Sequence, residues 1–248
     1  MWGIFGIVAF HVRSLSGKET AGNMPTSTLF RLASAGLIAA VPLWIAGTLL
    51  HPPTAELADI VGSSQSLSHA LDAAAVALVL VALPGLYAHH AGRTGTLGLV
   101  GFVTMMLFLA YLVYMLVYEA GPVAALADDP SAERLFGPDG VVRQGELRQL
   151  GAPLGLATVV YGVALLRAGT YSRWAGLLLI AFLPVFFILL GIYSAAPAAT
   201  QETLEGMGFT KYAVGSAHLL VHLGLAIAGW RLWTAEHLSA DSVTQLAH

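Results

Sequence analysis

Two histidines, His218 and His222, stand four residues apart in the run YAVGSAHLLVHLGLAIAGWRLW, and His69 and Asp72 stand three apart near the start of another apolar run. Side chains three or four residues apart share one face of a helix. Each pair therefore presents two polar groups side by side. An i, i+4 histidine pair offers two imidazole nitrogens to one ion, and catalytic zinc takes three protein ligands plus a water. His69, His218 and His222 are the predicted ligands of a divalent metal such as zinc. Asp72 and Glu119 are the predicted acid–base or orienting groups beside it. One alternative is a b-type haem held axially by His69 and His218 from two different helices, as in an electron-transfer protein. Another is a small transporter or interaction protein in which the histidines are packing hydrogen-bond partners. In a transporter Asp72 would take a proton or cation.

The elements that must position these residues are membrane helices. The chain is 57% hydrophobic and only 10% charged over 248 residues, with a mean hydropathy of +0.76. Soluble domains carry about 25% charged residues. A helix needs about 20 apolar residues to cross the hydrocarbon, and the runs 32–50, 67–87, 97–117, 151–166, 175–193 and 213–233 meet or approach that length. The predicted fold is an all-α membrane protein, a bundle of six transmembrane helices spanning 32–233. A cytoplasmic or interfacial segment (1–31) precedes it and a cytoplasmic tail (234–248) follows. The opening MWGIFGIVAF is too short to span and lacks the basic n-region of a signal peptide, and Met24 is an equally good start.

Composition also excludes functions. With no cysteine, the chain has no disulfide, iron–sulfur cluster or cysteine nucleophile. Lys18 and Lys211 are the only lysines and lie outside the runs, so no retinal Schiff base forms within a span. A net charge of −3 without a basic run argues against nucleic acid. The expected partners are the bilayer and a hydrophobic, lipid-like small molecule. The Arg-over-Lys bias in an Ala-, Gly-, Leu- and Val-rich chain points to the plasma membrane of a high-GC bacterium.

Basic residues set the expected direction. With the N-terminus inside, Arg13, Lys18, Arg31, Arg93, Arg167, Arg173 and Arg231 are cytoplasmic, whereas Arg134, Arg143, Arg148 and Lys211 are not. Both termini are then cytoplasmic, and the acidic loop 118–150 is extracytoplasmic. His51, His69, Asp72, Glu119, His218 and His222 all fall in the outer half. Gly215, His218, His222, Ala226 and Gly229 form one stripe, and small residues on a stripe mark a helix contact. Tyr111, Tyr114 and Tyr118 form another, expected to donate hydrogen bonds in the same outer cavity. His89 and His90 are expected to be solvated in the short turn YAHHAGRTGT.

An H-x-x-x-H span combined with a distant His and Asp resembles the membrane hydrolases of the ceramidase and progestin-receptor-like superfamily. The resemblance rests on His69, Asp72, His218 and His222, and implies metal-dependent hydrolysis. The chain departs from it in having Gln65 where the family has a serine, and six spans instead of seven.

Overall fold

The computed structural model describes residues 26–53, 57–61, 64–136 and 151–246. The segment 1–25 and loop residues 137–150 lie outside the described residues. In chain order the helices are α1 (Thr26–Leu50), the short α2 (Leu57–Ile60), α3 (Gln65–Tyr118), α4 (Ala124–Ala127) and α5 (Ala132–Phe136). Then come α6 (Gly151–Ala168), α7 (Arg173–Ala195), α8 (Ala198–Gly206) and α9 (Phe209–Leu246). A π-helical turn, Glu119–Val123, joins α3 to α4 and carries Pro122. No strand occurs among the described residues. Four helices are long and apolar enough to cross a membrane: α1, α3 with its extension to Ala127, α7, and α9 as far as Ala235. Helix α6 is apolar but shorter.

Helix α3 is one run of residues but two rods in space. Gly95 breaks it with φ 55° and ψ −143°, a conformation that a Cβ disfavours. The rings of Tyr87 and Phe102, on either side of the break, stack with centroids 4.5 Å apart. Fifteen residues of straight helix would hold them about 22 Å apart. The arms 65–94 and 96–118 therefore fold back on each other.

Every principal helix contact is antiparallel. Along α1 and the first arm of α3, Gly36 meets Ala82 and Gly47 meets Asp72. The second arm runs against α6, with Gly101 on Tyr161 and Tyr111 on Gly151. Gly162 of α6 meets Gly176 of α7, and Gly155 meets Leu183. Gly224 of α9 lies on Ala175 of α7, while Gly215 and Gly229 lie on Thr48 and Leu37 of α1. The circuit α1, α3, α6, α7, α9 thus closes on α1. Its interior is one apolar cluster that includes Leu37, Val79, Leu83, Phe108, Leu179 and Leu225.

The helix ends follow local chemistry. Helix α1 stops before Pro52 and Pro53, which cannot extend it. Gly169, at φ 62°, ends α6. Ser172 caps α7 by accepting the Trp174 N–H at 3.4 Å. The helices outrun the apolar stretches that announce them: α1 starts at Thr26 instead of residue 32, the first arm passes residue 87, and α9 continues to Leu246. Hydropathy marks the part of a helix that suits lipid, and hydrogen bonding carries the helix beyond it.

Candidate functional site

Helices α1, α3 and α9 meet in a polar layer at the end of the bundle that holds His51. His69 and Asp72 of α3 are 6% and 4% exposed, and His222 of α9 is 3% exposed. Around His69 the hydrogen bonds close into a set. Gln65 Nε2 donates to His69 Nε2 at 3.3 Å, His69 Nδ1 donates to Ser68 Oγ at 3.4 Å, and Ser68 Oγ donates to the Gln65 carbonyl at 3.2 Å. This assigns the neutral tautomer with the proton on Nδ1 and uses both ring nitrogens. The ring of His51 lies against His69 at 4.6 Å, and His51 Nδ1 donates to the Pro52 carbonyl at 2.7 Å. Burial holds the His51 imidazole below its usual range, opposed by the Pro52 hydrogen bond and reinforced by the charge of Lys211. Lys211 itself donates to the Leu49 carbonyl at 3.1 Å.

Asp72 lies one turn deeper than His69. It occupies the space a side chain at residue 47 would fill, since a Cβ on Gly47 would collide with Asp72 Oδ1. That oxygen is buried with no hydrogen-bond partner. Beside it, Trp44 ties α1 to α9: its Nε1 donates to the Gly215 carbonyl at 2.9 Å. The indole stacks on His222 at 4.8 Å and lies 5.3 Å from His218. His218 also meets the ring of Phe182 at 4.8 Å, and its Nδ1 donates to the Val214 carbonyl at 3.0 Å. His222 Nδ1 is buried without a partner. The Gly215–Gly229 stripe thus faces α1, and the wedge in that interface is an indole.

The expected three-histidine centre does not assemble in this packing. Among the described residues no group of three or more His, Cys, Asp or Glu side chains is placed to hold a metal ion. His69 spends both nitrogens on Gln65 and Ser68, whereas His218 and His222 gather on Trp44. The axial pair needed for haem, His69 and His218, is likewise packed against His51 and against Trp44 and Phe182. Glu119 opens the π-helical turn. The tyrosine stripe does not converge on the layer either: Tyr111 faces Gly151 of α6, and Tyr114 is 50% exposed and stacked on Tyr118.

A second polar cluster, at the opposite end, escaped the sequence reading. His90 is 1% exposed, not solvated, because the chain turns at Gly95 and leaves His90 inside the packed arm. Its Nδ1 donates to the Leu86 carbonyl at 2.7 Å, and Tyr171 Oη donates to the same carbonyl at 3.2 Å. His89 Nδ1 donates to Tyr171 Oη at 2.9 Å. Tyr161 closes the cluster, its ring 5.8 Å from that of His90. His90 Nε2 and Tyr161 Oη are both buried without a partner. The available signal was a pair of histidines just before a glycine turn with tyrosines on neighbouring spans.

Comparison with known proteins finds no matching family model, no matching curated protein and no matching solved structure, so the functional reading of this chain rests on its own geometry.

Proposed function

We propose that the chain is a six-crossing membrane carrier, with both termini cytoplasmic, in which Asp72 takes up and releases the coupling proton or a small cation. The observation that carries this reading is the buried, unpartnered Oδ1 of Asp72. An isolated carboxylate in an apolar interior costs several kcal/mol, so it must carry a proton or hold a cation. A polar path leads to it: half-buried His51 at the bundle end, His69 against it, and Asp72 three residues further along the same face. Chains of acidic and histidine side chains within membrane helices are typical of proton relays.

The test is chemical modification of the full-length protein in lipid vesicles. Dicyclohexylcarbodiimide is apolar and attacks protonated carboxyl groups. Peptide mass mapping should find the adduct on Asp72, with a yield that falls as pH rises, or that sodium suppresses if the site takes a cation. Asp72→Asn should lose the adduct. Gly47→Ala should alter its yield without removing the carboxyl, because the new Cβ would also crowd the Ser68 carbonyl at 2.8 Å. An Asp72 that stays unmodified at every pH, while the reagent reaches other carboxyls, would overturn the carrier reading. Elemental analysis of the same preparation tests the metal reading: one zinc per chain, lost in His69→Ala, would put that reading in its place.

A further inference from the structure

At the end opposite Asp72, a groove runs along α9. Leu223, Ala226, Ile227, Trp230 and Arg231 share one face at helical spacing, and Ile38 of α1 flanks them. Ser172, in the turn before α7, closes the far side. The cavity volume is about 530 Å³ and the groove is open along its length. Its chemistry is graded. Leu223, Ala226, Ile227 and Ile38 make the deeper part apolar. The mouth carries an exposed guanidinium, a hydroxyl, and an indole that is 58% exposed. Eight residues of helix separate Leu223 from Arg231, about 12 Å.

We infer that this groove binds one phospholipid with an anionic headgroup. The acyl chain lies along Leu223, Ala226 and Ile227, and the phosphate meets Arg231 and Ser172. Three observations select this occupant. Arg231 forms no ion pair among the described residues, and a guanidinium matches phosphate with two parallel N–H donors. Ser172 Oγ accepts from the Trp174 N–H, which leaves its proton free to donate to a phosphate oxygen. Trp230 and the neighbouring Arg173–Trp174 pair, 5.7 Å apart, mark this level as the membrane–water boundary, where a headgroup lies. A water-soluble phosphate would leave the apolar length of the groove unused. Basic pockets beside transmembrane helices are where anionic headgroups lodge. The inference rests on the membrane reading of the fold, not on Asp72 as a coupling group.

Native mass spectrometry of the full-length protein, released from vesicles of mixed phosphatidylglycerol and phosphatidylcholine with identical acyl chains, tests it. One phosphatidylglycerol per chain should survive activation that strips phosphatidylcholine. Arg231→Gln should lower that retention roughly tenfold, as loss of a charged hydrogen-bond donor implies, and Arg231→Lys should restore part of it. Ala226→Trp fills the groove and should abolish retention with Arg231 intact, provided the variant melts like the parent. Arg173→Gln, outside the groove, should leave retention unchanged, and soluble glycerol phosphate should not compete. Asp72→Asn should also retain the lipid, so the carrier reading and this one fail separately. Equal retention of the two lipids, or an Arg231→Gln variant that holds phosphatidylglycerol like the parent, overturns the inference.

Discussion

At the scale of single residues, spacing told which polar groups share a face but not what they face. His69 and Asp72 do lie on one side of α3, and the His218–His222 stripe does turn into the bundle. Their partners depend on the rotation of neighbouring helices, which no local pattern encodes. Hence the sequence suggested a shared ion where the structure has Gln65, Ser68 and Trp44. Another unsatisfied residue, Tyr161, was invisible in the sequence because a tyrosine in an apolar run reads as an interface residue. It is fully buried with an unpartnered hydroxyl, its ring 5.8 Å from that of His90, whose Nε2 is a bare acceptor because Nδ1 donates to Leu86. Removing an unsatisfied hydroxyl while keeping the ring returns its desolvation penalty. Tyr161→Phe should therefore be neutral or stabilising by about 1 kcal/mol, seen as an unchanged or raised Tm in detergent. A lower Tm would show instead that the hydroxyl and His90 hold an internal water between them.

At the scale of elements, the helices pack by close backbone approach. Between α6 and α7 a Cβ on Gly162 would stand 2.7 Å from the Gly176 carbonyl oxygen, and a Cβ on Gly176 would stand 2.6 Å from that of Gly162. Small residues at such crossings let membrane helices associate where no hydrophobic drive exists between them. Gly162→Ala must push α6 away from α7, at a cost of about 1–3 kcal/mol for overpacking. Gly191, also in α7, has nothing within 4 Å of its would-be Cβ. Gly191→Ala should be neutral or stabilising by up to about 1 kcal/mol through helix propensity alone. Melting both variants in the same detergent separates contact from propensity; equal losses would mean that the α6–α7 crossing is not a tight one. The helices were legible from apolar runs, and the hairpin of α3 from its Gly- and Arg-bearing turn. The pairing of Gly162 with Gly176 was not, since each is one of 27 glycines and only the crossing point singles it out.

At the scale of the whole molecule, parity links the packing to the number of crossings. In a closed ring where each rod runs antiparallel to both neighbours, the number of rods must be even. The four long helices, with α3 counted twice because it doubles back at Gly95, give five, and α6 supplies the sixth despite its shorter apolar length. The six crossings proposed above rest on this parity, and the packing fixes which segments share an end. Phe30 touches His89, His89 touches Tyr171, and Ser172 shares a groove with Arg231, so these lie together. Lys211 reaches Leu49 at the other end. Arg31, Arg93, Arg167, Arg173 and Arg231 crowd the first end, whereas the second holds Arg134 and Lys211 among the described residues. On the positive-inside rule, the orientation proposed above puts the first end in the cytoplasm. Because the chain has no cysteine of its own, single replacements report cleanly. In intact cells whose inner membrane is reachable from outside, an impermeant maleimide should label Asp128→Cys and Glu202→Cys. It should label Arg93→Cys and Thr170→Cys only after the membrane is opened. Labelling of all four from one side would break the six-rod ring itself. A clean reversal of the two pairs would keep the ring and invert the molecule, placing Asp72 near the cytoplasm and the lipid groove in the outer leaflet.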